Sequence, residues 1–370
     1  SICPNCGVGC NITIDDRRRR YVVRFLARIN DEVNEHWLCD RGRFNSHTIN
    51  DPDRLVKPLV RKNGELQEAS WEEALTVALE GMRAAGSHAG GIGSPARTNE
   101  ANYLFQKFMR QVIGTNNVDY TFEKRTDGST GALASAIASV FFNGRISDIA
   151  ESDAILCLGS DISYDLPLLD LWIKKAVRKL GKNLVFAYPL KAELAKYARP
   201  FLSYHYGQEA EFTRELASAV SGTSWQPLAG VRMEDIDLAS EVLKSANYVT
   251  VMVAKSMIES AENGRDVLKS LQWIADSLKS RNVRVQVMLL VQGANTFGAM
   301  DVGLLPGYLP GYKPADKGLT GWEMLEKAGS DISALWIMGQ NPARDLFHTE
   351  AFTAALQKLD MLVVQDHILT

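Results

Sequence analysis

The chain has 370 residues, of which 46% are hydrophobic and 23% charged, the balance of a large globular protein with two or three domains. Its formal net charge of −3 argues against a general nucleic-acid binder. The sequence contains no run of eighteen apolar residues and opens with no signal peptide, so it predicts no membrane span.

Four cysteines fall into two unequal groups near the start of the chain. The first group stands in CPNCGVGC and the second in WLCDRGRF, giving the spacing C-x2-C-x3-C-x28-C. This spacing is typical of a [4Fe–4S] ligand set, because a tight loop presents several thiolates and a distant return of the chain supplies the last one. The predicted cluster ligands are Cys3, Cys6, Cys10 and Cys39.

Two other uses of these cysteines stay open from the spacing alone. Structural zinc also takes four thiolates, but it usually uses two CxxC pairs, and only one pair here is so spaced. Disulfides need an oxidising compartment, for which the chain gives no sign.

Gly7 and Gly9 are expected to let backbone N–H groups approach the cluster sulfides. Cys157, in the apolar run AILCLGS, is expected to be a small buried hydrophobe.

The elements follow in chain order. The run Arg17 to Arg20, between apolar residues, predicts the turn of a hairpin, with a patch for an acidic partner protein as the functional alternative. Ser70 and Glu73 have the spacing of a capping box at the start of a helix. Hydrophobic periodicity predicts helices over residues 71–85, 99–112, 128–142 and 167–180, and strands over residues 118–122, 154–160, 183–189, 248–254, 283–291, 333–338 and 359–366.

This order of strands and helices predicts the α/β class. We expect βαβ units with parallel sheets and right-handed crossovers, arranged as a small N-terminal iron–sulfur module followed by two doubly wound α/β domains. The predicted module covers residues 1–52. The first α/β domain is predicted to be discontinuous, over residues 53–126 and 250–370, and the second covers residues 127–249.

Two strand ends that carry glycine are candidate ligand sites. In doubly wound folds, ligands bind outside the carboxyl ends of the strands, where backbone amides can hold a phosphate. Neither segment is a GxGxxG, so an ordinary strand-to-helix turn is the alternative at each. The long segment 293–321, rich in Gly and Pro, is expected to be irregular and either to line a cleft or to close it. The candidate cofactor-binding residues are Gly159, Ser160, Asp161, Gly339 and Asn341.

Taken together, the motifs resemble those of a known family. CPNCGVGC, VNEHWLCDRGRF, LGSDISYDLPLLDLWIKKAVRK, MDVGLLPGYLPGY and MGQNPA stand in the order found in the molybdopterin oxidoreductase superfamily. Within it, the chain is similar to formate dehydrogenase and to the G subunit of the NADH–quinone oxidoreductase, respiratory complex I. Because the family's capping C-terminal domain and the complex I protein's N-terminal iron–sulfur modules have no counterpart here, the resemblance implies a central piece.

The main departure from the family concerns the molybdenum ligand. Formate dehydrogenases carry a cysteine or selenocysteine in the segment that is YTFEKRTDGS here, and Arg125 falls at its place. A guanidinium cannot deprotonate to ligate a metal. Arg125 is instead expected to fill the vacated pocket and to pair with a carboxylate such as Asp127 or Glu123.

Further departures affect the cofactor cleft. The acidic residue and arginine that hold the guanosine end of the family's cofactor are replaced around Pro189. The lysine that follows the last cluster cysteine in the active enzymes is similar in place to an arginine, which keeps the charge but not the geometry. The residues at these altered positions are Tyr188, Leu190, Arg41, and Asp161, Tyr164 and Leu166 in place of the family's Asn, Glu and His.

Intact cluster ligands with an altered metal site imply an electron-transfer and scaffold subunit of an NADH–quinone oxidoreductase. The resemblance implies one [4Fe–4S] cluster, no molybdopterin, no catalytic centre of the chain's own, and a vestigial cleft. It implies partners among the other proteins of the NADH-oxidising peripheral arm, at the cytoplasmic face of the membrane, with no nucleic acid and no direct membrane span. A catalytic molybdenum or tungsten enzyme, a zinc-binding interaction module, and a component of a hydrogenase or soluble dehydrogenase stay as alternatives.

Overall fold

The structure is a computed structural model, and it describes residues 1–18, 20–125, 128–260, 263–345 and 349–369. Asp127, named above as a partner of Arg125, lies outside the described residues, as does Arg19 of the predicted hairpin turn. No helix in the described ranges is long and apolar enough to cross a membrane.

The strands alternate with helices along most of the chain. In chain order the strands are β1 (Ile12–Arg17), β2 (Tyr21–Ala27), β3 (Leu59–Lys62), β4 (Glu65–Glu68), β5 (Ala89–Ile92), β6 (Val118–Asp119), β7 (Ala154–Leu158), β8 (Asn183–Ala187), β9 (Phe201–Leu202), β10 (Tyr248–Ala254), β11 (Arg284–Leu290), β12 (Tyr308–Leu309), β13 (Lys313–Pro314), β14 (Ala334–Met338) and β15 (Met361–Gln365).

The helices range from single turns to four turns. In chain order they are α1 (Asp40–Phe44), α2 (Trp71–Ala85), α3 (Asn99–Phe108), α4 (Ser129–Ala138), α5 (Asp148–Glu151), α6 (Ile162–Asp165), α7 (Pro167–Leu180), α8 (Glu209–Ser221), α9 (Met233–Ser245), α10 (Lys255–Ser260), α11 (Gly264–Lys279), α12 (Thr296–Asp301), α13 (Gly321–Glu326), α14 (Pro342–Asp345) and α15 (Thr349–Leu356).

The chain divides into two compact units that differ from the predicted domains. The first unit contains residues 1–46 and 125–294, and the second contains residues 47–124 and 295–370. The predicted boundary at residue 250 is corrected because β10 and β11 hydrogen-bond into the same sheet as β7 and β8. The cysteine-rich start of the chain belongs to the first unit, since its buried residues share one hydrophobic core with that sheet.

The first unit is built on a five-stranded parallel sheet in the order β11-β10-β7-β8-β9. The chain runs from β7 to β8 and β9 on one side and then returns to place β10 and β11 on the other. Strand order therefore reverses between β7 and β10, which makes their carboxyl ends the topological switch point. Both strands are entirely buried, as their continuous apolar sequences predict for a parallel sheet.

The second unit has a four-stranded parallel sheet in the order β15-β14-β5-β6. Here the order reverses between β5 and β14. Gly90 and Gly91 of β5 leave room for neighbours on both faces, because a Cβ would lie 2.5 Å from Met324 Sδ at the first and 2.8 Å from Met109 Cγ at the second. The α/β fold predicted from the sequence is confirmed, with a switch point in each sheet.

Several predicted elements agree closely with the structure. Helix α7 and strand β10 have the predicted bounds, and Cys157 is fully buried. Ser70 caps α2 by accepting the N–H of Glu73 at 3.1 Å, but the Glu73 carboxylate contacts Lys62 Nζ at 2.5 Å. The predicted helix over residues 99–112 is α3, which continues as a π-helical turn over Met109–Ile113.

The segment 293–321 is more regular than predicted. It contains α12 and the short antiparallel pair of β12 and β13. Arg110 fixes the bend between them, since its guanidinium donates to the carbonyl oxygens of Gly303 at 2.8 Å, Leu305 at 3.1 Å and Tyr308 at 2.8 Å. Burial lowers the pKa of Arg110 to about 10, and both of its terminal nitrogens, Nη1 and Nη2, donate to this backbone.

Candidate metal centre and strand-end loops

The four predicted ligands belong to one small module of the first unit. Cys3, Cys6 and Cys10 are buried, with exposed fractions of 4%, 7% and 3%, and Cys39 is half-buried. All four are free cysteines. Their thiols lie within electrostatic range of one another, because each of the three buried thiols has its pKa raised by burial and further by the charge of Cys39.

Burial is the main cause of these pKa shifts. It acts first on each thiol, and the neighbouring sulfurs add to it, which together raise the pKa of Cys10 to about 12. Three thiolates in a buried loop, with a fourth from the residue before α1, repel one another, so the charged form needs a cation at the centre. The donor set therefore fits a metal cluster.

The backbone of the loop offsets part of the effect of burial on two of the thiols. Burial raises the pKa of Cys3 and of Cys6, and the backbones of Asn5 and Val8, respectively, act in the opposite direction. The Asn5 side-chain amide lies 3.5 Å from Cys3 Sγ. Hydrogen bonds to sulfur are one of the means by which proteins set cluster potential. These contacts favour the thiolate, but burial outweighs them and favours the thiol, so a bound metal is needed to stabilise the charged form.

The two glycines of the loop have roles other than the predicted one. Gly7 donates its N–H to the carbonyl of Gln292 at 3.1 Å, and a Cβ on it would lie 2.3 Å from Val291 O. Gly7 therefore allows the loop to lie against the backbone that follows β11. Gly9 has φ +73° with open space around it, so it serves the turn.

Asn34 holds the two halves of the module together. It is fully buried, accepts the N–H of Asn11 at 2.8 Å, and donates its amide to the carbonyl of Trp37 at 3.1 Å. It thereby joins the residue after Cys10 to the segment that leads into Cys39. The sequence analysis missed Asn34, because a single asparagine in a polar stretch gives no periodic signal.

Cys39 is the residue before α1, and that helix contacts α6, the short helix that follows the loop after β7. Arg41 donates from Nη2 to the carbonyl oxygens of Tyr164 at 2.5 Å and Asp165 at 2.9 Å, and its guanidinium lies 5.6 Å from the centre of the Tyr164 ring. Arg41, which the sequence analysis compares with the family's lysine, thus binds protein backbone. A lysine has no planar guanidinium to stack on the ring while making this pair of bonds.

Among the described residues, no group of three or more His, Cys, Asp and Glu side chains has an arrangement suited to a metal ion. The four corners of a [4Fe–4S] cube hold their thiolates farther apart than the ligands of one ion, so this finding concerns sites for single ions.

Gly159, Ser160 and Asp161 lie at the switch point of the first sheet, directly after β7. Gly159 has φ +76°, and a Cβ on it would lie 2.6 Å from the Cβ of Met257. Ser160 donates to Asp165 Oδ2 at 2.9 Å. Asp161 Oδ1 is buried with no hydrogen-bond partner among the described residues.

Asp165 connects this loop to the cysteine module. Gln292 donates its amide to Asp165 Oδ1 at 3.0 Å, and the carbonyl of the same Gln292 accepts the N–H of Gly7. Burial raises the pKa of Asp165, and the nearby charge of Asp161 adds to the effect. The sequence analysis missed this link, because Gln292 and Asp165 are 127 residues apart.

Gly339 and Asn341 lie at the switch point of the second sheet, after β14. Gly339 has φ +68°, and a Cβ on it would lie 2.5 Å from Arg97 Nε. Arg97 is held by Asp366 at 3.0 Å. Asn341 is half-buried, and its carbonyl accepts the N–H of Arg344. The structure therefore places the five candidate cleft residues at two switch points, three in one unit and two in the other.

Comparison with known proteins agrees with these features. The family model described as molybdopterin oxidoreductase matches residues 54–370. The chain belongs to the molybdopterin oxidoreductase family. A second model, described as NADH-ubiquinone oxidoreductase NDSU1/NuoG-like, 4Fe-4S domain, matches residues 5–47, a range that includes three of the four predicted cluster ligands.

Individual relatives are similar over the whole chain. One is the second G subunit of the NADH-quinone oxidoreductase of Rhizobium meliloti, which is 29% identical over 100% of the chain and 47% of its own length. F420-dependent formate dehydrogenase 1 subunit alpha of Methanococcus maripaludis is 30% identical over 100% of the chain and 61% of its own length. The chain thus spans about half to three fifths of the relatives that it matches.

A solved structure shares the fold. A chain of the formyltransferase/hydrolase complex from Methylorubrum extorquens, solved with methylofuran, aligns with a TM-score of 0.55 at 16% identity, covering 83% of this chain and 81% of that one. At this identity the likeness concerns the fold alone. It agrees with the parallel sheets described above.

Proposed function

We propose that the chain is an electron-transfer and scaffold part of an NADH–quinone oxidoreductase-type complex, with one [4Fe–4S] cluster held by Cys3, Cys6, Cys10 and Cys39. The observation that carries the proposal is the gathering of four free cysteines at one core, where Cys3, Cys6 and Cys10 are buried and Cys39 packs against them. The match of residues 5–47 to the NuoG-like 4Fe-4S domain supports it. The cluster would supply one-electron redox chemistry.

The chain's own residues keep this centre dry and in place. Val8, Phe25 and Leu38 are buried beside the cysteines and exclude water. Asn34 fixes the distance between the loop and Cys39, and Gln292 ties the loop to the sheet. Low solvent access and hydrogen bonds to sulfur are the factors by which the protein sets a cluster's potential.

We further propose that each unit keeps, in the loop at its own switch point, a vestigial cofactor-binding segment without molybdenum. Arg125, at the place of the family's metal ligand, offers no atom that binds a metal. Arg41 binds α6, which directly follows the loop after β7, and the loop after β14 lies against Arg97. Partners would be other subunits of such a complex, which the names of two relatives, NADH-quinone oxidoreductase subunits G, support. We place these partners in the NADH-oxidising arm on the cytoplasmic side of the membrane, as the resemblance implies.

Electron paramagnetic resonance on the anaerobically reduced chain tests the cluster. We expect a signal of one [4Fe–4S]⁺ centre that integrates to about one spin per chain. Substitution of any of the four cysteines by alanine is expected to abolish that signal, while Cys157→Ala leaves it unchanged. A colourless protein that holds stoichiometric zinc would contradict the proposal and favour the zinc-binding module.

A catalytic molybdenum or tungsten enzyme is the second candidate. The observation in its favour is that both sheets keep a left-handed glycine at the switch point, Gly159 and Gly339, together with 30% identity to the alpha chain of a formate dehydrogenase. Formate-dependent reduction of a viologen dye by the purified protein would favour this candidate. We expect no such activity, and we expect Arg125→Cys to create none by itself.

A further inference from the structure

The β1–β2 hairpin carries a concentrated positive charge. Residues 11–28 contain six arginines and two aspartates, a local charge of +4 in a chain whose total is −3. Arg17, Arg18 and Arg20 are exposed at the turn. Arg24 is exposed in its side chain by 61% although it pairs with Asp15 at 2.8 Å. Exposed arginines so closely spaced repel one another, and an anionic surface that approaches them lowers this repulsive energy.

A β-bulge places apolar side chains among these arginines. The pairing register shifts between Asp15 and Asp16, so that Arg24 lies opposite Asp15, Val22 lies opposite Asp16, and Val23 has no direct partner. Val22 packs on the core, whereas Tyr21 and Val23 are exposed by 56% and 51%. Bulges commonly redirect side chains in this way. The outer face of the hairpin thus has an apolar centre with a basic rim.

The hairpin is joined rigidly to the candidate cluster. Strand β1 begins two residues after Cys10, and Ile12 and Phe25 are buried in the same core as the cysteines. Two backbone hydrogen bonds, both 2.9 Å, join Ile12 to Ser1, and the N–H of Arg28 donates to the carbonyl of Asn11 at 3.0 Å. The hairpin therefore continues directly from the cluster loop and shares its core.

We propose that the outer face of the β1–β2 hairpin is a docking surface for an acidic electron-carrier protein. The inference rests on the proposed function, because the cluster gives such a partner a reason to bind here. Tyrosine and arginine are among the residues that most often dominate interface energy, and both stand on this face. The charge of the hairpin selects a partner of the opposite sign and speeds its encounter.

The test measures binding of a plant-type [2Fe–2S] ferredoxin, a strongly acidic protein, to the cluster-loaded chain by surface plasmon resonance. We expect binding that weakens at least tenfold between low and physiological salt. The double variant Arg17→Glu/Arg20→Glu and the single variant Tyr21→Ser are each expected to weaken it at least tenfold. The matched control, Arg178→Glu/Lys279→Glu, makes the same change of charge on exposed residues of α7 and α11 and should leave affinity within twofold.

The other outcomes overturn the proposal. Equal weakening in the control pair would mean that net charge alone attracts the ferredoxin. Binding to phosphatidylserine vesicles but not to ferredoxin would assign the face to a lipid surface, and loss of a dimer in the hairpin variants would assign it to a second copy of the chain. Iron and sulfide measured on the same samples separate these results from failure of the proposed function, which would appear as a missing cluster.

Discussion

At the scale of single residues, the cysteine module depends on a few side chains that each contact two parts of the chain. Asn34 joins the residue after Cys10 to the segment before Cys39, and Arg41 joins α1 to α6. The thiols repel one another when charged. A metal cluster bound by them would therefore contribute part of the folding energy of the module. Changes at single ligands should therefore affect this region more than the sheet.

Cys39→Ala should lose most of its iron and expose the first forty or so residues to protease, because the cluster contributes folding energy to them. The control is Cys157→Ala, the same change at a buried site in β7, which should keep its iron and cost about 1 kcal/mol of unfolding free energy. Iron analysis and limited proteolysis measure both. Native protease resistance at the N-terminus of Cys39→Ala would refute the dependence on the cluster.

Asp165 should make stability depend on pH. Its pKa is raised in the folded chain, so between the unfolded pKa near 4 and the folded value the native state binds more protons than the unfolded one. The stability from this group is present at low pH and is lost as pH rises through the folded pKa. Urea unfolding of the chain and of Asp165→Asn should therefore show the variant gaining in relative stability as pH rises from about 4 to 7. A constant difference across that range would contradict the assigned shift.

At the scale of elements, the cluster loop is held against the end of β11 by a close backbone approach. This contact requires the absence of a Cβ at Gly7, since that atom would lie 2.3 Å from a carbonyl oxygen. Gly9 needs only its left-handed φ. The two glycines therefore make a matched pair for separating loop docking from turn formation.

Gly7→Ala should push the loop away from β11 and lower both cluster content and protease resistance of the N-terminus. Gly9→Ala should keep the cluster and cost only about 1 kcal/mol, the strain of a left-handed alanine. Iron content and urea midpoints compare the two variants. If Gly7→Ala loads the cluster as well as Gly9→Ala does, the docking contact has no part in holding the site.

The sequence predicts the bounds of a helix or strand wherever local signals mark its ends. Pro167 at the start of α7 and Gly181 after its end are local signals, so the full bounds of this helix can be predicted. The continuous apolar run of β10 is equally clear. The sequence does not show to which sheet β10 belongs. Strand order is decided by how the chain crosses over after β9, and this crossover produces no periodic pattern in the sequence. The predicted boundary at residue 250 is wrong for that reason.

At the scale of the whole molecule, both units use a parallel sheet with a reversal of strand order, and each places a glycine-bearing loop at that reversal. The cysteine spacing and the two glycine-bearing strand ends could be identified from the sequence, since each is local, whereas the replacement of the metal ligand by Arg125 stays a prediction. The Gln292–Asp165 link and the contacts of Arg41 could not, because they join residues more than one hundred positions apart. The protein we propose therefore combines a local cluster motif with a fold whose metal chemistry has been lost.

Elemental analysis of the anaerobically purified protein tests this account most directly, with iron, sulfide, molybdenum, tungsten and zinc measured on one sample. The account predicts about four irons and four sulfides per chain, as in a single [4Fe–4S] cluster, with neither molybdenum nor tungsten. Stoichiometric molybdenum or tungsten would contradict the role given to Arg125 and would make the chain a catalytic oxidoreductase.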